Sequence, residues 1–129
     1  MKKTICTAKL IVFLLLLMSV AAYASGLTRI TGPELEKMMK DGSPIVIVDV
    51  REPELYARGH IPGAMNIPYE DGAHKRILKE LKPSDRVVFV CHGGPMGDEL
   101  GEILVNNRYP KVYNLIGGMI KWRGAYSVR

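Results

Sequence analysis

Cysteine is almost missing from this 129-residue chain: there are two, Cys6 and Cys91, and the first lies in an amino-terminal stretch that reads as a cleavable signal. One cysteine after that stretch excludes a disulfide within the processed chain, and with it a small secreted scaffold stapled by bridges. No run of Lys or Arg occurs, so the basic patch that nucleic-acid binding requires is missing and no nucleic-acid partner is expected. Nor does any apolar run reach the ~20 residues a membrane-spanning helix needs. His60, His74 and His92, taken with Cys91, show no short ligand spacing of the structural-zinc kind, and no metal is expected.

What is present begins with Lys2, Lys3 and Lys9, an apolar run of 13 residues from Leu10 to Ala22, and the small residues of Ala22-Tyr23-Ala24. That order is the pattern of a secretory signal. The reading is a signal peptide over residues 1–24 and a domain over 25–129, in a periplasmic or secreted protein with no stable membrane association after cleavage. An uncleaved anchor is the alternative. Cys6 precedes the apolar run, which is not the place of a lipoprotein acylation site. Removing three lysines and no acid lowers the formal charge from +5 to +2, so part of the basic pI belongs to the signal. About 105 residues remain, the size of one domain.

Apolar runs and amphipathic segments alternate through that domain. Leu27–Ile30 suggests a short strand. Thr31-Gly-Pro-Glu34 supplies a capping hydroxyl, an early proline and a glutamate three residues after the cap, predicting a helix to about Lys40. Ile45–Val50 and Arg86–Val90 are β-branched runs of the kind found in strands buried on both faces. Between them, Glu52–Ala57 predicts a short helix, Ile61–Ala64 a turn, Met65–Ile67 a brief strand and His74–Leu81 a helix. Glu99–Val105 predicts another helix, Val112–Leu115 a last strand, and Gly117-Gly118 opens a short helix carrying Ile120 and Trp122. Strands taking turns with helices predict one α/β domain: a central five-stranded, mostly parallel sheet with helices on both faces.

Cys91 falls at the carboxyl end of a predicted central strand, where ligands collect in such sheets. A lone cysteine there is a buried inert thiol, half of an intermolecular bridge, or a reactive thiol. The segment that follows, His92-Gly93-Gly94-Pro95-Met96-Gly97, can turn successive N–H groups inward as an anion-binding concavity, and a helix start adds its free amides and positive dipole end. Both effects favour a thiolate, and the expectation is a thiol open to solvent in a pocket of inward-facing amides at the rim of the sheet. Asp98 opposes both effects. The same cradle suits a persulfide or a tetrahedral oxyanion, but phosphate-ester cleavage also wants an arginine clamp, and no arginine lies between Cys91 and Arg108. Phosphatase chemistry is therefore disfavoured.

Three segments resemble the rhodanese-like family. Ile47–Pro68, IVDVREPELYARGHIPGAMNIP, is similar to its amino-terminal signature; VVFVC with the glycine-containing loop resembles its active-site strand, with Cys91 at the position of the sulfur-carrying cysteine; and Val112–Trp122, VYNLIGGMIKW, resembles its carboxy-terminal segment. The resemblance implies a sulfurtransferase with a central parallel five-stranded sheet. A donor such as thiosulfate or polysulfide loads Cys91 as a persulfide, and cyanide or a thiol, including a partner protein's, unloads it. No organic cofactor is implied. The backbone amides of His92–Gly97 would hold the terminal sulfur, making His92, Gly93, Gly94, Met96 and Gly97 the candidate binding residues.

Catalytic relatives commonly carry an arginine five residues after the cysteine, where this chain has Met96. A polarizable, apolar lip suits polysulfide, a thiol persulfide or a partner's sulfur. Arg51, at the end of another central strand, is a candidate for the missing positive charge, the alternative being a structural partner of Asp49 or of helix carbonyls. The segment Gly59–Ala64 reads as a turn scaffold and Trp122 as a core or rim anchor. Gly117 and Gly118 suit either a second nest or a helix-start turn. Three functions are consistent with these residues: a sulfurtransferase, a persulfide carrier serving one partner, and a non-enzymatic interaction module.

Overall fold

The computed structural model describes residues 26–128; the expected signal segment 1–24, and Cys6 with it, lies outside the described residues. Ten elements follow in chain order: β1 (Thr28–Ile30), α1 (Gly32–Lys40), β2 (Val46–Asp49), α2 (Pro53–Arg58), β3 (Met65–Asn66), α3 (Ala73–Glu80), β4 (Val87–Val90), α4 (Pro95–Asn106), β5 (Val112–Leu115) and α5 (Gly118–Lys121). The five strands form one sheet in the order β1-β5-β4-β2-β3, and every pairing is parallel. The mostly parallel sheet expected from the alternation is thus wholly parallel.

The β-branched runs form the middle of this sheet because both of their faces are covered. Side chains alternate between the faces along each strand, and two separate cores result. Val48, Phe89 and Val112 pack with Ile77 of α3 and with Leu100 and Leu104 of α4. On the other face Ile47, Val88, Val90 and Leu115 pack with Leu35 and Met38 of α1 and with Trp122. Phe89, Leu35, Ile77 and Leu104 have no exposed surface, and each such side chain contributes about 1.5–3 kcal/mol relative to leaving it in water.

Helix α1 starts as its sequence predicts: Glu34 N–H donates to Thr31 Oγ1 at 3.4 Å and Thr31 N–H to Glu34 Oε2 at 2.6 Å. The Thr31 N–H first, and then the Thr31 hydroxyl that donates to the same oxygen at 2.8 Å, hold the Glu34 carboxyl below its ordinary range. The Ile61–Ala64 turn is also formed, with Ala64 N–H on Ile61 O at 3.0 Å and Gly63 at φ +81°. No helix among the described residues is long and apolar enough to cross a membrane.

One boundary differs from expectation in a way that matters. Helix α4 begins at Pro95, four residues before the Glu99 predicted from apolar spacing. Proline has its φ preset for a first helical turn and needs no partner for a missing N–H, while Gly94 before it sits at φ +128°, open to glycine. Met96 and Gly97 therefore belong to the first turn of a helix and not to a loop. Gly97 is needed there for close approach: a Cβ would come within 2.8 Å of Asn114 Cγ and 3.2 Å of Phe89 Cβ.

Candidate functional site

Strand β4 is buried at all four residues, and the next residue along it is Cys91. Alternation carries the Cys91 side chain to the same face as Phe89, among the residues that α3 and α4 cover. Only three residues, His92 to Gly94, connect it to α4, so the chain must turn sharply over the sulfur. The turn aims the Gly94 N–H at Cys91 Sγ, 2.9 Å away. A sulfur atom that accepts an amide hydrogen bond beside the positive end of a 12-residue helix is placed where negative charge is stabilised.

Solvent access is the part of the expectation that requires correction. The thiol was expected to lie open to water; instead Cys91 has 0% exposed surface. The early start of α4 is the cause, since it draws the turn down over the sulfur.

The turn is held from behind by α5. Met119 N–H donates to Cys91 O at 2.8 Å and Ile120 N–H to His92 O at 3.1 Å. Gly117 and Gly118, at φ +73° and +51°, form the start of α5, the helix-start turn that was one of the two readings of this pair, and the amides that follow them meet loop carbonyls as a clamp on the loop. A Cβ on Gly118 would overlap the carbonyl oxygens of Cys91 and His92. Gly118→Ala is expected to cost about 1–3 kcal/mol, the range for a strained backbone position. It should also loosen the turn, so that iodoacetamide alkylates Cys91 faster than in the wild type; equal alkylation rates would contradict the clamp.

Arg51 is buried and turned away from the role of charge donor. Its Nη2 lies 2.7 Å from Asp49 Oδ2 and donates to Gly59 O at 2.8 Å, and its Nε donates to Asp49 Oδ1 at 3.0 Å. Asp49 is itself almost wholly buried, and a carboxylate removed from water requires such a partner. The guanidinium therefore joins the end of β2 to the Gly59–Ala64 turn, and the structural alternative is the one the geometry favours.

His92 is half-exposed at the loop surface, with Nε2 2.8 Å from Glu52 Oε2. Glu52 immediately precedes α2. Its carboxyl is held below the ordinary range by its own backbone N–H first and then by His92. Met96 is half-buried and packs against the core that includes Cys91. Asp98, which seemed to oppose a thiolate, has its charge taken up elsewhere: Arg29 Nε donates to it at 3.1 Å and Asn114 Nδ2 at 2.8 Å.

Neither Asn114 nor Glu52 was singled out in the sequence. Asn114 Nδ2 also donates to Gly94 O at 2.8 Å, so one side chain of β5 ties the turn to Asp98. Its signal was a polar residue inside the otherwise apolar strand VYNL; Glu52 had only its place after Arg51 at a helix start. His60 has a structural role, with Nδ1 2.8 Å from Tyr56 O and its ring stacked on Tyr56 at 3.8 Å, and His74 lies exposed on α3.

A parallel α/β sheet that delivers a cysteine from a central strand into a turn closed by a helix start defines a narrow class of proteins. The chain belongs to the rhodanese-like family, whose domain model matches residues 31–125. It is 33% identical over 87 residues to the thiosulfate sulfurtransferase GlpE of Pseudoalteromonas translucida, covering 67% of this chain and 81% of that protein. It is 30% identical over 101 residues to YrkF of Bacillus subtilis, named as a candidate sulfur carrier; the match covers 78% of this chain and spans about half, 54%, of YrkF. Among solved structures, a rhodanese-like domain protein from Staphylococcus aureus superposes with a TM-score of 0.70 at 31% identity, over 79% of this chain and 98% of that one.

Proposed function

We propose that this protein is an exported single-domain sulfurtransferase, periplasmic or secreted, that moves sulfane sulfur through a persulfide on Cys91. The observation that carries the reading is the Gly94 N–H on Cys91 Sγ at 2.9 Å, at the mouth of α4. Such a site stabilises both the thiolate that attacks a donor and the thiolate that leaves when sulfur is passed on. The donor is thiosulfate or polysulfide and the acceptor cyanide or a thiol. Neither half-reaction calls for a metal or an organic cofactor. Export is supported by the lysines, apolar run and Ala22-Tyr23-Ala24 of the amino terminus. GlpE's name is consistent with the activity.

A second reading, a persulfide carrier that hands sulfur to one partner protein, is favoured by Met96. The residue five after the cysteine is a half-buried thioether, which offers a dianion such as thiosulfate no countercharge. An interaction module without chemistry is opposed by the amide directed at the sulfur.

Intact mass after incubation with polysulfide or with thiosulfate separates these readings. A gain of one sulfur atom from either donor supports transfer, and cyanide-dependent thiocyanate release then distinguishes an enzyme from a dedicated carrier. A wild-type protein that never gains sulfur is an interaction module. Met96→Arg is expected to speed loading by thiosulfate roughly tenfold or more, since a hydrogen bond to a charged group is worth about 1.5–3 kcal/mol. An unchanged or slower rate would show that this position does not limit donor recognition.

A further inference from the structure

We propose that Glu52 and His92 form a proton-handling pair for the acceptor half of the reaction, with His92 Nδ1 taking the proton of an incoming thiol and Glu52 holding the ring. The proposal rests on the sulfur-transfer reading above.

The pair joins residues 40 positions apart, across the ends of two neighbouring strands. Glu52 stands at the cap position of α2 yet makes no side-chain cap bond, and glutamate is not among the residues that favour this place. Its carboxylate reaches over to His92 instead. An ionised carboxylate accepts hydrogen bonds and cannot donate them, and Glu52 is kept ionised by its own N–H, by His92 and by the nearby Arg51. The proton of the neutral ring is therefore on Nε2, which leaves a lone pair on Nδ1. Nδ1 has no hydrogen-bond partner among the described residues. Arg51 does not compete for Glu52, because its guanidinium is turned to Asp49 and Gly59.

His92 immediately follows Cys91, and its side chain is 41% exposed, open to a thiol arriving from solvent. The step balances without any further reagent. Nδ1 takes the proton of R–SH, and the thiolate sulfur bonds to the terminal sulfur of Cys91–S–S⁻. The bond between the two persulfide sulfurs breaks, and its electron pair goes to Cys91 Sγ as a thiolate that accepts from Gly94 N–H. The imidazolium returns the proton to the departing anionic sulfur, which leaves as R–S–SH. One sulfur atom has moved and the net charge is unchanged.

The test is single-turnover unloading of the full chain, in a Cys6→Ser background, preloaded with polysulfide and checked by intact mass. Two acceptors are compared at pH 7: an alkyl thiol with an ordinary pKa of about 8.5 or above, and an aromatic thiol already ionised. His92→Ala is expected to slow the alkyl thiol by about a hundredfold, the lower range for general acid–base catalysis, to leave the aromatic thiolate within about twofold, and to regain rate with added imidazole. Glu52→Gln, which keeps an acceptor but loses the charge, is expected to slow the alkyl thiol roughly tenfold with the same indifference to the aromatic one. Equal losses for both acceptors, or no loss for the alkyl thiol, would overturn the pair while leaving sulfur transfer intact. A wild-type chain that never loads would instead remove the transfer reading, and the pair with it. Thermal melting of each variant shows whether a loss comes from unfolding, and Glu52→Gln supplies the decisive comparison if His92→Ala does not fold.

Discussion

Cys91→Ser is expected to give a folded protein that never gains a sulfur atom from polysulfide or thiosulfate and releases no thiocyanate. Geometry is not what the substitution removes. Serine Oγ occupies nearly the same place and can accept the Gly94 N–H that now reaches Sγ at 2.9 Å, so the turn keeps its bond. What disappears is the sulfur nucleophile itself, the atom able to hold a second sulfur covalently. Because Cys91 has no exposed surface, the new hydroxyl must find an acceptor in an apolar setting or go without. The cost to stability should be about 1–3 kcal/mol, well short of unfolding an ordinary domain. Cys91→Ala is the companion variant: it drops the hydroxyl but leaves the Gly94 amide unpaired, and it should be equally inert. Thermal melts establish that both are folded, and intact mass reads the chemistry. Sulfur gained by a folded Cys91→Ser chain would have to reside on Cys6, which a Cys6→Ser, Cys91→Ser double variant would reveal by losing it.

The same turn shows where reading the sequence succeeds and where it stops. Both buried strands, the capping box at Thr31 and the turn at Ile61–Ala64 were legible because each depends on neighbours in the chain: β-branched runs, a hydroxyl three residues before a glutamate, a proline followed by glycine. The place of Cys91 followed from the same logic, since a strand that ends must end somewhere. The start of α4 did not, because apolar spacing begins only where a helix meets the core, and its first turn, Pro95 to Asp98, shows that spacing poorly. From that one boundary came the larger difference, a sulfur enclosed where an open one was expected. Asn114, Glu52 and the true partners of Arg51 depend on which strands lie side by side. The order β1-β5-β4-β2-β3 brings together residues far apart in sequence, and a single chain carries no local record of that.

Arg51→Ala is expected to lower stability by about 3–5 kcal/mol, the cost of leaving one member of a buried ion pair behind. Asp49, with 1% exposure, would lose the guanidinium that meets both of its oxygens and keep only the Arg51 backbone N–H at 3.0 Å. Gly59 O would lose its donor as well, freeing the Gly59–Ala64 turn from the end of β2. Urea denaturation reads the loss as a lower midpoint at an unchanged slope. Removing the charge from both sides tests the cause: Asp49→Asn with Arg51→Met retains an acceptor for the residue-51 amide and fills the volume, and it should recover much of the difference, as uncharged replacements of buried pairs often do. Below its melting range the Arg51→Ala protein should still load sulfur on Cys91, because the guanidinium faces Asp49 and Gly59. A variant that melted like the wild type yet failed to load would reverse that assignment, showing that Arg51 leaves Asp49 to meet the sulfur donor.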